Sequence, residues 1–258
     1  HMGRVEKIDY RMDEEQVPER VHIYKVESPV KDKLESLGRL LRSLGETSTI
    51  VFLNYRDSVE RTNNYLVEQG FSTSFFHGGL EQKEREASLY RFSNGSANIL
   101  VSTDLASRGL DIPDIDNIIH YHIPESEDGY IHRVGRTARW EAQGRAFFLL
   151  GPEEHIPEYG DAEVEDYEIP AVEELPAPAK PKMATLYIGK GKKDKISKGD
   201  ILGFLCKKGG LNSSEIGKID VNDRYAYAAI ARPKLKSVLN NVKGEKIKGV
   251  KTIVEEVR

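Results

Sequence analysis

The sequence has little of the residues that cross-link proteins or span membranes. Only one of its 258 residues is a cysteine, Cys206. A lone cysteine excludes an internal disulfide framework and a cysteine-based metal cluster. No apolar run approaches the roughly 18 residues that a membrane helix needs, and no signal-peptide pattern is present. With 31% charged and 38% hydrophobic residues, we expect a cytoplasmic globular protein with no membrane partner.

A nucleotide-binding loop of the usual kind is missing as well. The pattern GxxxxGK[ST] does not occur, because Gly189-Lys190-Gly191-Lys192-Lys193 lacks its spacing. There is no acidic magnesium-binding sequence, and we predict no metal site. Nucleotide chemistry would therefore need phosphate and Mg²⁺ ligands from elsewhere.

The net charge of −4 is spread unevenly along the chain. Residues 1–150 carry 19 lysines and arginines against 24 aspartates and glutamates, and residues 151–182 carry 2 against 10. Residues 183–258 carry 17 against 8, which is a net charge of +9. A basic terminal module beyond an acidic connector points to a polyanionic partner, although a lysine-rich solvated surface would give the same numbers.

Short apolar runs alternate with amphipathic stretches over the first 150 residues. Helices are predicted at about 32–44, 57–69, 82–93 and 128–138. Such alternation is typical of βαβ units, so we predict an α/β fold whose parallel sheet is covered by helices on both faces. The carboxyl ends of its strands would form the ligand-binding edge. Strands are predicted at 22–26, 49–53, 74–76, 99–102, 118–121 and 146–150.

The composition changes after residue 150. Acidic residues and prolines dominate, and the stretch 170–182 predicts a semi-rigid linker. The last 76 residues show a βαββαβ order, which is the ferredoxin-like arrangement. We therefore predict an N-terminal extension with a tag remnant over 1–19, a first domain over 20–169, the linker over 170–182 and a terminal domain over 183–258.

The stretch His132-Arg133-Val134-Gly135-Arg136-Thr137-Ala138-Arg139 is the most informative in the chain. Its three arginines are spaced three apart, which places them on one side of a helical turn. Guanidinium groups so close repel each other unless an anion lies opposite, and phosphate oxygens match their planar fork. A solvated basic helix face is the alternative.

Several motifs in order give the first domain a family resemblance. Residues 50–54 (IVFLN), His77-Gly78-Gly79 with Gln82 and Arg85, residues 102–111 (STDLASRGLD) and residues 132–139 resemble the later motifs of DEAD-box RNA helicases. The resemblance implies the second RecA-like domain of such an enzyme. One mild departure is Ala138, where many members carry glycine.

The resemblance assigns nucleotide roles to particular residues. Arg136 and Arg139 match the arginine fingers that stabilise charge on the γ-phosphate of ATP, and they are the catalytic candidates. Asp111 matches the ribose-binding carboxylate and Arg108 the residue that couples to the nucleotide. His132 and Arg133 belong to the same cofactor-binding set, although an interface role fits them better than contact with ATP.

It assigns RNA roles to a second set. Thr103 and the backbone of Gly78 and Gly79 would face RNA phosphates, because a bare backbone approaches a polyanion closely. Gln82 and Arg85 suit a structural role and an RNA role equally well.

The terminal module resembles the RNA recognition motif of DbpA-type helicases. Tyr187 lies in its first signature strand, and Tyr225 and Tyr227 lie in the second, alternating with small apolar residues. This alternation predicts outward tyrosines on which bases stack, or else a tyrosine ladder that merely covers the sheet.

Departures from the general consensus leave room for a different RNA-binding face. Asp223 stands where a basic residue is usual, and Arg224 where glycine is usual. Lys190, Lys192, Lys193 and Arg224 are therefore further RNA-binding candidates.

The resemblance implies the C-terminal half of an ATP-dependent RNA helicase, expected to be a monomer. ATP with Mg²⁺ would be its cofactor, held mainly by a first RecA-like domain that acts as its partner. The expected RNA is a large-subunit ribosomal RNA hairpin, with a role in ribosome assembly, and the fragment alone is expected to be inactive. The alternatives are a non-catalytic RNA-binding adaptor with a relic helicase domain and, less well supported, a DNA-directed helicase.

Overall fold

The computed structural model describes residues 21–108, 110, 112–137, 144–160 and 163–258. The chain divides into two compact units. The first unit consists of residues 1–85 and 98–179, and the second of residues 86–97 and 180–258. The predictions made for residues 1–19, Gly109, Asp111, Ala138 and Arg139 lie outside the described residues.

The first unit is built on a seven-stranded sheet in which every neighbouring pair is parallel. Its strands are β1 (Val21–Glu27), β2 (Thr49–Phe52), β3 (Thr73–Phe76), β4 (Ile99–Ser102), β5 (Asn117–His120), β6 (Gly144–Leu150) and β7 (Glu165–Asp166). Their order in the sheet is β3-β4-β2-β5-β6-β1-β7. The central strands β2, β4 and β5 are buried along their whole length, which is why they appear in the sequence as continuous apolar runs.

The first unit contains the helices α1 (Leu34–Leu44), α2 (Arg56–Glu68) and α4 (Glu127–Val134). Helix α3 (Gln82–Ser93) begins in the first unit and continues into the second. The apolar side of α1 buries Leu37 and Leu40 in the core that also contains Val51. The start of α4 is fixed by Ser126, whose Oγ accepts the Gly129 N–H at 3.0 Å. The predicted α/β, RecA-like class is confirmed.

The predicted helix 128–138 is too long. Helix α4 ends at Val134, and Gly135 caps it by donating its N–H to the Ile131 carbonyl at 2.8 Å. Thr137 then forms a parallel bridge with Ile115. This pairing draws the chain away from the helix axis, so the arginine spacing alone overestimated the helix.

The second unit contains a four-stranded antiparallel sheet. Its strands are β8 (Met183–Ile188), β9 (Ile216–Val221), β10 (Ala226–Ala231) and β13 (Val254–Val257), and its helices are α5 (Lys198–Lys207) and α6 (Leu235–Val242). The strand order is β13-β8-β10-β9. The predicted βαββαβ order is confirmed. A small hairpin between α6 and β13, formed by β11 (Lys246–Ile247) and β12 (Val250–Lys251), was not predicted.

The stretch predicted as a linker begins in contact with α1. Arg42 Nε donates to the Pro176 carbonyl oxygen at 2.8 Å, and its Nη2 donates to that of Leu175 at 3.1 Å. The Leu175 side chain is buried. This part of the stretch is therefore held on the first unit. In the described ranges, no helix has the length and apolar character needed to cross a membrane.

Candidate nucleic-acid interface

The side chain of Arg133 ties together the segments that follow β2, β4 and β5. It projects from α4 and is 0% exposed. Nε and Nη2 donate to the Asp104 carboxylate at 2.6 and 3.1 Å, and Nη2 also donates to Asn54 Oδ1 at 2.7 Å. Nη1 donates to the His122 carbonyl oxygen at 2.8 Å and lies 3.3 Å from His120 Nδ1. One guanidinium thus fixes the carboxyl edge of the sheet.

This geometry defines what Arg133 does in the conformation described. Its guanidinium is enclosed within the first unit, and its donors are directed at protein acceptors. The predicted grouping of Arg133 with the nucleotide-binding residues therefore has no exposed guanidinium to support it. Arg133 acts on the site by positioning the segments that carry its neighbours.

Two histidines beside Arg133 are held neutral. Burial, together with the Arg133 charge, keeps the pKa of His120 well below its ordinary value. Burial and the nearby Lys33 ammonium lower the pKa of His122 to about 4. His122 Nδ1 accepts the Asn54 N–H at 2.9 Å, so the neutral ring carries its hydrogen on Nε2.

Arg136, a predicted arginine finger, lies two residues beyond the end of α4. It is 8% exposed, and it donates from Nε to the Ser107 carbonyl oxygen at 3.1 Å and from Nη1 to that of Leu110 at 3.0 Å. In this conformation Arg136 braces the loop after β4. The other finger, Arg139, and the ribose candidate Asp111 lie outside the described residues.

Arg108 and His132 share one carboxylate at the surface. Arg108 Nη2 donates to Asp128 Oδ2, and both side chains are more than half exposed. His132 Nδ1 lies 3.4 Å from Asp128 Oδ1 and 2.8 Å from the Asp128 carbonyl oxygen. The structure therefore brings the two cofactor candidates, Arg108 and His132, together on one face. A solvent-exposed ion pair with Asp128 would explain their positions equally well.

The two glycines after β3 leave room for neighbouring side chains. A Cβ on Gly78 would lie 2.8 Å from Nη2 of Arg56, and one on Gly79 would lie 3.0 Å from the His77 ring. The Gly79 N–H is donated to His77 Nδ1 at 3.0 Å. The structure thus supplies a packing reason for both glycines, and it places the Arg56 guanidinium beside the predicted RNA-facing backbone.

The other RNA candidates of the first unit have local partners as well. Thr103 caps the 3₁₀ turn Asp104–Ser107, and its Oγ1 accepts the Leu105 N–H at 3.4 Å. Arg85 donates from Nη2 to Gln82 Oε1 at 3.1 Å, one turn away on α3. The roles predicted for Gly78, Gly79, Thr103 and Arg85 stay predictions.

In the second unit, the tyrosines predicted to receive bases lie together on one face of the sheet. Tyr187 and Tyr225 stack with ring centroids 5.9 Å apart, and Tyr227 meets Tyr225 edge-on at 5.5 Å. Ala226, Ala228 and Ile230 enter the core, as the alternation predicted. We call Tyr187, Tyr225 and Tyr227 the tyrosine face.

The tyrosine face is not open to solvent along its length. Tyr227 is 3% exposed, because the Tyr90 ring stacks on it at 5.1 Å with an interplanar angle of 29°. Tyr225 donates its hydroxyl to Glu86 Oε2 at 2.6 Å. Both contacts come from residues 86–97, which belong to this unit and which we call the cover segment.

The lysine-rich loop after β8 has a fixed backbone. Lys192 and Lys193 donate their N–H groups to the carbonyl oxygens of Asn222 and Asp223, each at 2.9 Å. Gly191 is required at this position, since a Cβ there would overlap both carbonyl groups. The loop therefore presents its lysine side chains from a rigid base.

A cleft of about 560 Å³ adjoins this loop. Ile196 and Ile219 are buried at its floor, and exposed lysines stand around it. Lys190, closer to β8, is half-buried, and Arg224 on the β9–β10 turn is exposed. The cleft is lined by Lys192, Lys195, Ile196, Ser197, Lys198, Ile219 and Val221. Among the described residues, no cluster of three or more histidine, cysteine or acidic side chains is suited to a metal ion.

Comparisons with known proteins match both the region of the parallel sheet and the region of the antiparallel sheet. A profile of the helicase conserved C-terminal domain matches residues 32–141, and a profile of the DbpA RNA binding domain matches residues 185–256. The chain belongs to the DEAD-box helicases. Its two matched domains are those of the C-terminal region of the DbpA type.

Two curated DbpA-type relatives show the extent of the similarity. The ATP-dependent RNA helicase DbpA of Escherichia coli K12 is 36% identical over 228 residues, covering 86% of this chain and 50% of that protein. The Bacillus subtilis 168 protein of the same name is 30% identical over 246 residues, covering 85% and 51%. The chain thus spans about half the length of these relatives.

Solved DEAD-box structures share the fold of the first unit. Yeast (S. cerevisiae) Dbp5 bound to RNA and ADP BeF3 superimposes with a TM-score of 0.55 at 25% identity, covering 60% of this chain and 43% of that chain. E. coli SrmB bound to the regulator RraA gives 0.55 at 30% identity, covering 64% and 99%.

Several residues at the carboxyl edge of the parallel sheet were not predicted as site residues from the sequence. Asn54 and Asp104 were quoted within motifs without a role, and His120, His122 and Arg56 were not singled out. A signal did exist for Asn54 and Asp104, because each lies two residues beyond the end of a buried strand, where a polar side chain needs a partner.

Proposed function

We propose that the chain is the RNA-anchoring half of an ATP-dependent helicase that remodels ribosomal RNA. In this proposal the second unit binds a hairpin of large-subunit ribosomal RNA during subunit assembly. We also propose that the protein is cytoplasmic and monomeric. The match to the DbpA RNA binding domain supports RNA as the ligand.

The rigid lysine loop is the observation that carries the proposal. Its backbone is hydrogen-bonded to the β9–β10 turn, so binding of phosphates by Lys192 and Lys193 orders their side chains but not the loop backbone. The cleft beside it combines apolar floor residues with lysines, which suits a nucleotide whose base is unpaired. Asp223 lies 4.0 Å from Lys193, and Asp194 within the loop accepts the Gly191 N–H at 3.0 Å. The four lysines of residues 190–195 outnumber these two carboxylates, so the loop keeps a positive charge.

Binding to a hairpin and to a scrambled hairpin of equal length tests the proposal. We expect a preference for the true hairpin that survives added salt. The double variant Lys192→Ala/Lys193→Ala should weaken binding and lower the salt slope by about one unit for each phosphate that the variant no longer binds. The matched control is Lys236→Ala/Lys243→Ala, which removes two exposed lysines elsewhere in the second unit and should leave the slope unchanged. Equal affinities for the two hairpins would contradict a sequence-specific anchor.

ATP hydrolysis is proposed for the whole protein. The guanidinium groups of Arg136, Arg108 and Arg139 fit phosphate oxygens, and Mg²⁺ and the remaining phosphate ligands would come from a first RecA-like domain. Bound ATP would supply the free energy for RNA remodelling. Within this chain, Arg136 would leave its two carbonyl partners to reach the nucleotide.

A phosphate-release assay tests this half of the proposal. The chain alone should release no phosphate from ATP with RNA present. Addition of the first RecA-like domain should restore RNA-dependent release, and Arg136→Ala should abolish it. An adaptor with a relic helicase domain would show no release in either case.

A further inference from the structure

The tyrosine face and the cover segment fit each other as a binding surface fits its ligand. Tyr90 stacks on Tyr227 at 5.1 Å, a spacing typical of stacked aromatic rings. The Tyr90 hydroxyl donates to the backbone carbonyl oxygens of Lys218 and Tyr227, on neighbouring strands. The Tyr90 ring thus occupies the place on Tyr227 that a stacked base would occupy.

The contact continues along the sheet beyond the tyrosines. Asn94 Nδ2 donates to Thr185 Oγ1 at 2.8 Å, and Ser96 Oγ lies 2.7 Å from the same hydroxyl. Thr185 is 1% exposed. Arg232 donates from Nη2 to the Ser96 carbonyl oxygen at 3.1 Å. The cover segment therefore closes the face over several residues of β8 and β10.

Charge makes the closed face unfavourable for RNA. The Glu86 carboxylate accepts the Tyr225 hydroxyl at 2.6 Å, at the end of the face where Tyr187 and Tyr225 are only half-buried. A phosphate that approached these two rings would meet that carboxylate. Burial of Tyr90 raises the pKa of its hydroxyl, which stays protonated, so its one hydrogen can be shared between the two carbonyl oxygens.

We propose that the tyrosine face is a latent binding surface for single-stranded RNA, which the cover segment closes by placing Tyr90 where a base would stack. This surface is separate from the lysine loop, so the inference goes beyond the proposed hairpin anchor. Opening the cover would expose Tyr227 beside the half-buried Tyr187 and Tyr225, and stacking on such rings accepts any base.

The test compares the full chain with an uncovered variant, Glu86→Gln/Tyr90→Ala, in binding to fluorescein-labelled octauridine. One stacked base contributes about 1–3 kcal/mol, so we expect the uncovered variant to bind roughly 5- to 150-fold more tightly. Adding Tyr227→Ala should remove this gain. Tyr90→Phe keeps the ring in place and should show little or no gain.

Two results would overturn the inference. One is an unchanged octauridine affinity in an uncovered variant whose circular dichroism spectrum is native. The other is a gain that persists when Tyr227→Ala is added, since the rings would then not be the binding site.

A measurement on the unchanged chain does not depend on how the variants fold. Irradiation with 5-iodouridine-substituted octauridine should give no adduct at Tyr227, and an adduct there would refute a closed face. Hairpin affinity is measured in parallel. Loss of hairpin specificity would count against the proposed anchor alone, because octauridine reports on the tyrosine face.

Discussion

Removing the Arg133 side chain should destabilise the first unit more than removing an exposed arginine. Arg133→Ala leaves Asn54 Oδ1 and the His122 carbonyl oxygen without their donor. A fully buried acceptor costs about 1–3 kcal/mol, and because these two are only partly buried their sum stays below twice the upper value. Asp104 adds little, since its side chain is 44% exposed and regains water. The free energy of unfolding should therefore fall by about 2–5 kcal/mol.

Thermal unfolding followed by circular dichroism measures this destabilisation. For a unit of this size, 1 kcal/mol corresponds to about 2–4 °C, so Tm should fall by roughly 5–15 °C. Arg133→Lys keeps the charge but reaches fewer acceptors, and its Tm should lie between those of the unchanged chain and Arg133→Ala. The control is Arg108→Ala, which breaks an exposed pair with Asp128 and should cost less than about 1 kcal/mol. Equal Tm values for Arg133→Ala and Arg108→Ala would refute the reasoning.

Three more perturbations have defined outcomes. The pKa of His122 is about 4 in the folded chain, below its ordinary value of 6.5. Between pH 6.5 and pH 4, His122 is therefore protonated in the unfolded chain but not in the folded chain, and protonation favours unfolding. The free energy of unfolding should be at its full value above pH 6.5 and should fall by about 1–3 kcal/mol towards pH 4. His122→Gln should flatten this fall in denaturant titrations across pH, whereas the exposed His155→Gln should leave it as steep as before. Gly191→Ala forces a Cβ against the Asn222 carbonyl, so it should weaken hairpin binding in titrations several-fold; an unchanged affinity would show that the loop backbone is not what presents the lysines. Lys33→Met removes the buried ammonium that donates to two carbonyl oxygens at strand ends and to a carboxylate. Chemical denaturation should show a free energy of unfolding lower by about 2–4 kcal/mol. A decrease under about 1 kcal/mol would show that Lys33 does not hold these strand ends together.

The fold of both units could be predicted because burial leaves a direct record in the sequence. The strands β2, β4 and β5 are covered on both faces, so each appears as an unbroken apolar run between amphipathic helices. The same argument does not reach the end of α4. Arginines spaced three apart fit a helix, but the bridge between Thr137 and Ile115 is a tertiary contact that ends it at Val134.

The sequence predicted which residues belong to the sites better than it predicted how those residues are arranged. Motif spacing brought Arg133 and Arg136 into the candidate set, yet their partners are backbone carbonyls and side chains from strands distant in the sequence. Likewise, strand alternation predicted which side of β10 carries Tyr227. It held no information about what lies on that side, because Tyr90 is far away along the chain and meets it only in the folded unit.

The cover segment makes the terminal RNA-binding domain depend on a stretch of chain that precedes it by more than 80 residues. A fragment that begins at residue 180 would lack Glu86 and Tyr90, and it would display the Tyr227 ring, which the cover segment buries, beside Tyr187 and Tyr225. If the face is closed as proposed, such a fragment should bind single-stranded RNA more tightly, and with less sequence preference, than the intact chain. For the same reason, grafting this domain onto another helicase would transfer its lysine loop but not its shielding, unless the recipient supplied an equivalent of residues 86–97.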